Sequence, residues 1–343
     1  MEERLRLGDP ADVGRLLRAE EFRVDHPFRV SRRIFGASTL DLEGTEHRKR
    51  KRGWWAGFGK QWVGSVTVRE MVDSAVADGF ARAHASNDLL QACVYIPNRV
   101  VLDLLDLPEI DPIEHYESLK PVLRILGGLP ESNDCVAQAK DYIQRVVRDV
   151  KVPWFSDLSD EARTAELALF LVAGAETTVV ALEVLTSAWW NDADAVTADV
   201  HSAGSGSVVM RLLTQDAPLG LTTRYAAREV FIDTVGRIPR GAMVDVDLAS
   251  ASLQSDPGET DARRNAQRYV FGAGAHRCPG DRLAVLEAQV YLEGLLALDA
   301  SEYAPVVADE PRPSTFRHLP WRALERTTNS RAGTPGENGA RDA

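Results

Sequence analysis

A mainly α-helical fold with minor β sheets is predicted by three observations. Long segments carry apolar residues at helical spacing, strand-like stretches are few and short, and no internal repeat occurs at solenoid periods. The helical segments are residues 11–21, 68–85, 113–126, 136–150 and 159–190. The last is apolar for most of its length, with Ser159 as its cap and Asp160 and Glu161 in its first turn, where they favour the positive end of the helix dipole. Strands are expected at 222–232 and at 242–248, the latter after the turn-forming Pro239-Arg240-Gly241. A chain of 343 residues, 44% of them hydrophobic, can bury a sizeable core. Residues 1–325 are expected to form one domain, and 326–343, poor in apolar residues, a disordered tail.

Charge narrows the functions. Against 40 basic residues stand 51 acidic ones, a net charge of -11, which argues against a nucleic-acid or anionic-membrane binder. The run His47-Arg48-Lys49-Arg50-Lys51-Arg52 reads as a solvated helix face, or as a surface for something small and anionic or for an acidic partner protein. Cys93, Cys135 and Cys278 make no even framework and no CxxC pair, so a reducing cytoplasm is expected. The start lacks a signal-peptide pattern, and no apolar run is expected to reach the roughly 20 residues that span a bilayer.

Two segments carry chemistry. Phe271-Gly272-Ala273-Gly274-Ala275-His276-Arg277-Cys278-Pro279-Gly280 sets one cysteine among glycines, directly before a helix expected over 281–298. Glycines permit close backbone approach to a large flat ligand, and a thiolate at a helix N-terminus gains from backbone N–H donors that lower its pKa. A lone cysteine of this kind is more often a buried residue in a turn. Ala173-Gly174-Ala175-Glu176-Thr177-Thr178 puts a carboxylate and hydroxyls in the middle of the long apolar helix, which is costly unless they are paired or hydrated. Threonines there can bond back to the carbonyl one turn earlier and make room for water.

The cysteine loop resembles the haem-ligand loop of the cytochrome P-450 family, FxxGxHxCxG, with Phe271, Gly274, His276, Cys278 and Gly280 in register. The second segment resembles the family's oxygen-activating AGxET helix. The resemblance implies a haem-thiolate fold holding haem b, with Cys278 as the iron ligand, Glu176 and Thr177 as the acid-alcohol pair, and Ala173 and Gly174 beside the haem. Gly44-Thr45-Glu46-His47 is similar to the segment whose His and Arg bind a haem propionate, Lys51 standing at the Arg position. The stretch 218–224 is similar to the pocket-lining segment that ends in another propionate-binding arginine, here Arg224, and Ile238-Pro239-Arg240-Gly241-Ala242 to a family turn.

Three departures stand out. The chain begins near the second strand of the family's first sheet; the ExxR pair falls on Arg211 and Thr214; and the loop 255–261, leading to Arg263 and Arg264, is contracted. Arg211 is therefore expected to be solvated or newly paired, for instance with Asp216 or Glu259.

The function implied first is a monooxygenase that uses O2 and inserts one oxygen atom into a small apolar substrate. Its electrons would come from a ferredoxin or flavodoxin type donor, because the chain has neither a GxGxxG loop nor a ferredoxin cysteine set. Two alternatives are a family-fold cyclase or isomerase, for which Asn133, Asp134 and Asp141 offer a faint metal motif, and a non-catalytic auxiliary protein.

Overall fold

Short polar residues set most of the helix starts. In the computed structural model, which describes residues 5–26, 29–254, 269–308 and 315–327, β1 (Leu5–Leu7) leads to α1 (Pro10–Leu16), capped by Asp9 with Pro10 in its first turn. After β2 (Phe22–Arg23) come α2 (Val30–Phe35), α3 (Gly44–Gly57) and α4 (Lys60–Val63). The next helices are α5 (Val66–Ser86), closed by Asn87 in the left-handed region, α6 (Leu90–Leu104), α7 (Pro112–Leu126), capped by Asp111, and α8 (Asn133–Val147), capped by Ser132.

The longest is α9 (Asp160–Asn191), whose cap Ser159 accepts from the Ala162 N–H as expected. Its 32 residues span about 48 Å, and it is apolar almost all round, the signature of a helix through the middle of a core. By length and composition α9 could cross a membrane, contrary to the expectation that no such run exists, yet most of its surface is buried inside the protein.

Then follow α10 (Ala193–Ala203), α11 (Ser205–Gln215), β3 (Leu221–Ala226), β4 (Val230–Ile232), β5 (Gly236–Ile238), β6 (Met243–Asp247) and α12 (Leu248–Leu253). Past the cysteine loop come α13 (Asp281–Leu295), β7 (Tyr303–Val307) and β8 (Trp321–Arg326). The mainly helical fold with small sheets is the one the sequence predicts.

One sheet has the order β1-β6-β3-β2, with β1 parallel to β6 and the other pairs antiparallel; β4–β5 and β7–β8 form separate ribbons. A small core under this sheet joins Val13 and Leu16 of α1 to Val244 and Val246. The main core packs α9 against α6, α11 and α13, and α5 against α6 and α13, through side chains such as Val72, Ile96, Leu171, Leu182 and Leu292. Each fully buried leucine of this set is worth roughly 1.5–3 kcal/mol.

Several boundaries differ from expectation. The helix over 11–21 ends at Leu16, because Arg18 and Ala19 turn back on the Arg15 carbonyl and Phe22 enters the sheet. The strand over 222–232 is two strands in different sheets, broken where the Ala227 N–H turns to the Glu21 carbonyl. The helix after the cysteine ends at Leu295, not 298. Arg326 closes β8 and Thr327 donates to the Glu302 carbonyl, so both lie outside the tail expected from 326; the rest of that tail lies outside the described residues.

Candidate functional site

The cysteine loop is built on backbone bonds and two left-handed glycines. Gly272 and Gly274 have φ of 66° and 69°. The Cys278 N–H donates to the Phe271 carbonyl at 2.9 Å, and Phe271, half-buried, anchors the loop on the main core. A side chain on Gly274 would run into the Leu17 carbonyl, so this glycine lets the loop lie on the end of α1. Tyr269 adds a bond from its hydroxyl to the Pro10 carbonyl, 2.6 Å. Gly280 is the N-cap of α13, with Asp281 in the first turn bonded to Arg277 at 2.5 Å.

Cys278 thus stands just ahead of α13, as expected, but its thiol is not acidified. Burial pushes it up to about 11, outweighing the Gly280 N–H, Lys51 and Arg277, which act the other way. A sulfur removed from water keeps its proton until a metal ion takes its place, and a coordinated thiol is deprotonated outright.

Around this loop α3 and β3 gather nitrogen donors. His47 and His276 pack ring to ring at 4.2 Å. The Nε2 atoms of both lack a hydrogen-bond partner among the described residues, although His276 Nε2 lies 3.4 Å from Glu43 Oε2. Burial first, then the neighbouring cations, pulls His47 down to about 4; burial also lowers His276, against Glu43. Arg224 is buried and bonds only neutral oxygens, Thr222 Oγ1 at 3.1 Å and the Thr223 carbonyl at 3.0 Å. Its pKa is lowered to about 10 by burial and then by Arg29, with Glu43 in opposition.

A buried guanidinium with no carboxylate at ion-pair distance among the described residues, and two orphaned imidazole nitrogens, suit an anionic ligand. The residues present therefore fit the propionates and iron of haem. Lys51 also serves the loop itself. Its ammonium donates to the Arg277 carbonyl at 2.5 Å and sits over the Trp55 ring, tying α3 to the residue before the cysteine.

The acid-alcohol segment divides over the faces of α9. Ala173 is exposed and Thr177 half-exposed in the middle of an otherwise buried helix, one turn apart and therefore on one face, which is open to solvent. Thr177 and Thr178 both bond back one turn, to the Ala173 and Gly174 carbonyls at 3.3 Å, while the helix stays α throughout. Gly174 has a packing role: a side chain there would press on Val101 of α6 and on Phe170. Glu176 is buried and turned away from the Thr177 face. Its Oε1 lies 2.9 Å from His318 Nε2, and its Oε2 is unpartnered among the described residues.

Four residues of this region escaped the sequence reading. Glu166, fully buried in α9, accepts from Thr39 N–H, Thr39 Oγ1, Trp54 Nε1 and Arg50, fastening α3 to α9. Glu183 and His318 form the other side of the Glu176 contact. Glu287 of α13 is fully buried, and burial holds its carboxyl well above the usual range. The signal available was the one applied to Glu176, a carboxylate in an apolar helix; for His318 there was none.

The departures resolve in part. Arg211 is on the surface, bonded to Asp199 of α10 and to Gln215, so it is solvated and newly paired, though not with Asp216, which takes Arg317 at 2.8 Å. Thr214 bonds back to Met210. The loop 255–261 with Glu259, and Arg263 and Arg264, lie outside the described residues. Asn133, Asp134 and Asp141 are exposed on α8, and among the described residues no cluster of metal-ligating side chains occurs. In the basic run His47, Arg50 and Lys51 point inward, leaving Arg48, Lys49 and Arg52 in solvent.

No family model matches the chain. It is 30% identical over 275 residues to a vitamin D(3) 25-hydroxylase of Pseudonocardia autotrophica, covering 71% of this chain and 67% of that one. It is 27% identical over 294 residues to cytochrome P-450 monooxygenase DoxA of Streptomyces sp. (strain C5), covering 74% and 68%. The fold matches the epothilone B-bound cytochrome P450epoK with a TM-score of 0.75 at 20% identity, covering 93% and 90%. With the cysteine loop, the cation cluster behind it and the long α9 arranged as described, the chain belongs to the cytochrome P450 family of oxidoreductases.

Proposed function

We propose that the chain is a haem-thiolate monooxygenase that inserts one oxygen atom from O2 into a small apolar, natural-product-like substrate. The observation that carries this reading is the joint presence of Cys278, on a loop fixed by Gly274 and α3, and the desolvated cation and imidazole cluster of Arg224, His47 and His276. In this reading Cys278 ligates the iron of haem b, and His47, His276 and Arg224 hold the propionates. Lys51 braces the loop through the Arg277 carbonyl. When bound, the cofactor supplies the dioxygen reduction that no side chain here can perform.

The chain's own residues handle binding and protons. Thr177 donates its hydroxyl proton to the Ala173 carbonyl, which leaves the oxygen lone pairs to accept from solvent water on that face. Glu176 Oε2, buried and unpartnered among the described residues, can take a proton from a water that reaches it and return it, so Thr177 and Glu176 offer proton-handling groups on two faces of α9. Ala173, small and exposed, leaves room for the flat ligand.

The substrate class is supported by the two apolar ligands named for the relatives above, vitamin D(3) and epothilone B. Arg48, Lys49 and Arg52, exposed on α3 whose inner side braces the cysteine loop, suit an acidic ferredoxin or flavodoxin type electron donor. Neither nucleic acid nor membrane is proposed as a partner, and a cytoplasmic setting suits a thiolate ligand.

The test is the absorption spectrum of the reduced protein under carbon monoxide. A strongly red-shifted Soret band is expected for the wild type, and its loss in Cys278→Ala. An unchanged spectrum in that variant would refute the assignment of the ligand.

A further inference from the structure

Glu176 and Glu183 lie seven residues apart on α9, two helical turns, and so share a face. The arm that leads into β8 places His318 against that face. His318 Nε2 is 2.9 Å from Glu176 Oε1, and its Nδ1 is 3.2 Å from both oxygens of Glu183. The backbone on either side is held: Leu319 N–H donates to Glu183 Oε2 at 3.0 Å, Phe316 bridges to Leu219, and Arg317 pairs with Asp216.

Two buried carboxylates on one apolar face are tolerated only with a cation between them. Both ring nitrogens of His318 meet carboxylate oxygens, so both carry protons and the ring is an imidazolium. Burial works against that charge, but Glu183 and Glu176 together raise the pKa to about 10.

The other titratable groups facing this cluster reinforce its polarity. Tyr116 of α7 faces the same two carboxylates, and burial, then Glu176 and Glu183, holds its hydroxyl proton tightly. Cys93 of α6 and Tyr291 of α13, beyond Glu183, are likewise held protonated, chiefly by burial. Arg317 is engaged by Asp216.

We propose that His318 is a positioning residue for Glu176: a buried imidazolium, clamped from behind by Glu183, that occupies Oε1 and leaves Oε2, buried and unpartnered among the described residues, as the oxygen that exchanges a proton. His318 keeps its own protons; the proton that moves is taken from water that reaches Oε2 and is returned to water there. This rests on the reading of Glu176 as part of the proton path, and it makes the C-terminal hairpin, through one side chain, a determinant of proton supply.

The experiment uses the reduced, carbon monoxide-bound holoprotein labelled with 15N-histidine. The resonance lost in His318→Gln is expected to keep imidazolium shifts from about pH 6 to 9 in the wild type, where an ordinary histidine titrates near 6.5. In Glu183→Gln that same resonance should titrate within the range. A wild-type resonance titrating near 6.5 would overturn the clamp. The role of the clamp is read from substrate-free oxygen consumption driven by a surrogate ferredoxin and its reductase. His318→Gln is expected to be about tenfold slower or more, with a changed pH profile and a larger solvent deuterium effect, while its carbon monoxide spectrum stays normal. Equal rates and profiles in the two proteins overturn the positioning role. A wild type without the red-shifted band overturns the monooxygenase reading instead, and leaves the resonance result standing.

Discussion

Each carboxylate inside an apolar helix has to be matched by donors, and α9 carries three solved in two ways. Glu166 receives four hydrogen bonds from groups on α3 and the turn before it, while Glu176 and Glu183 share one histidine. The rule that singled out Glu176 in the sequence applies equally to the other two. What the sequence could not supply was the partners, because Thr39 and Trp54 lie 127 and 112 residues from Glu166, and His318 lies 142 from Glu176. Glu166→Ala would strand the Arg50 guanidinium and the Trp54 N–H in the core. It is expected to cost about 3–5 kcal/mol, read from the midpoint of urea unfolding. The His318 bridge predicts a pH dependence. Its folded pKa of about 10 lies above the ordinary histidine value of 6.5, so its stabilisation is complete below about pH 6.5 and is lost as pH rises through 10. The stability gap between wild type and His318→Gln should therefore narrow from pH 7 to pH 10; a gap that widens with pH counts against the bridge.

The legible elements were those whose signals are local. The cap at Ser159, the apolar length of α9, and the glycines before Cys278 act within a few residues of where they stand, and the chain follows them. The end of α1 and the division of the strand at 222–232 depend on contacts between distant parts: Leu17 against Gly274, and Ala227 against Glu21. Local spacing is silent on both. Gly274→Ala is expected to bring two penalties, a left-handed φ of 69° and a collision with the Leu17 carbonyl. Together they should lower stability by about 2–4 kcal/mol, the sum of a strained backbone position and an overpacked contact. The variant should also lose haem on dialysis faster than the wild type, measured as Soret absorbance over time.

For the whole molecule, the family's motifs survive where chemistry is done, while the scaffold beneath them has changed. Arg211, at the first position of the ExxR pair that in the resembled family clamps the loop leading to the cysteine, is half in solvent and paired with Asp199. Exposed pairs of this kind contribute about 0–1 kcal/mol, so Arg211→Ala should shift the unfolding midpoint little and leave haem content unchanged. A large loss of bound haem would show that the clamp works through Arg211 after all. The sequence made the fold and the cysteine loop readable, because helical spacing and the order of residues 271–280 are both local patterns. It could not show that Lys51 serves the Arg277 carbonyl or that Thr177 and Glu176 face apart, since a motif gives residue order but no direction in space.

Direction is what α9 supplies, and it sets how this chain can change over generations. Successive residues on a helix point about 100° apart, so Ala173 and Thr177 meet solvent while Glu176 and Glu183 meet His318 only because the count between them is kept. Any one of these residues can be exchanged and leave the others in place. One residue inserted or deleted between Thr177 and Glu183 would turn Glu183 away from the histidine while Glu176 still held it. A change of length in the middle of α9 therefore separates groups that a substitution would leave in register.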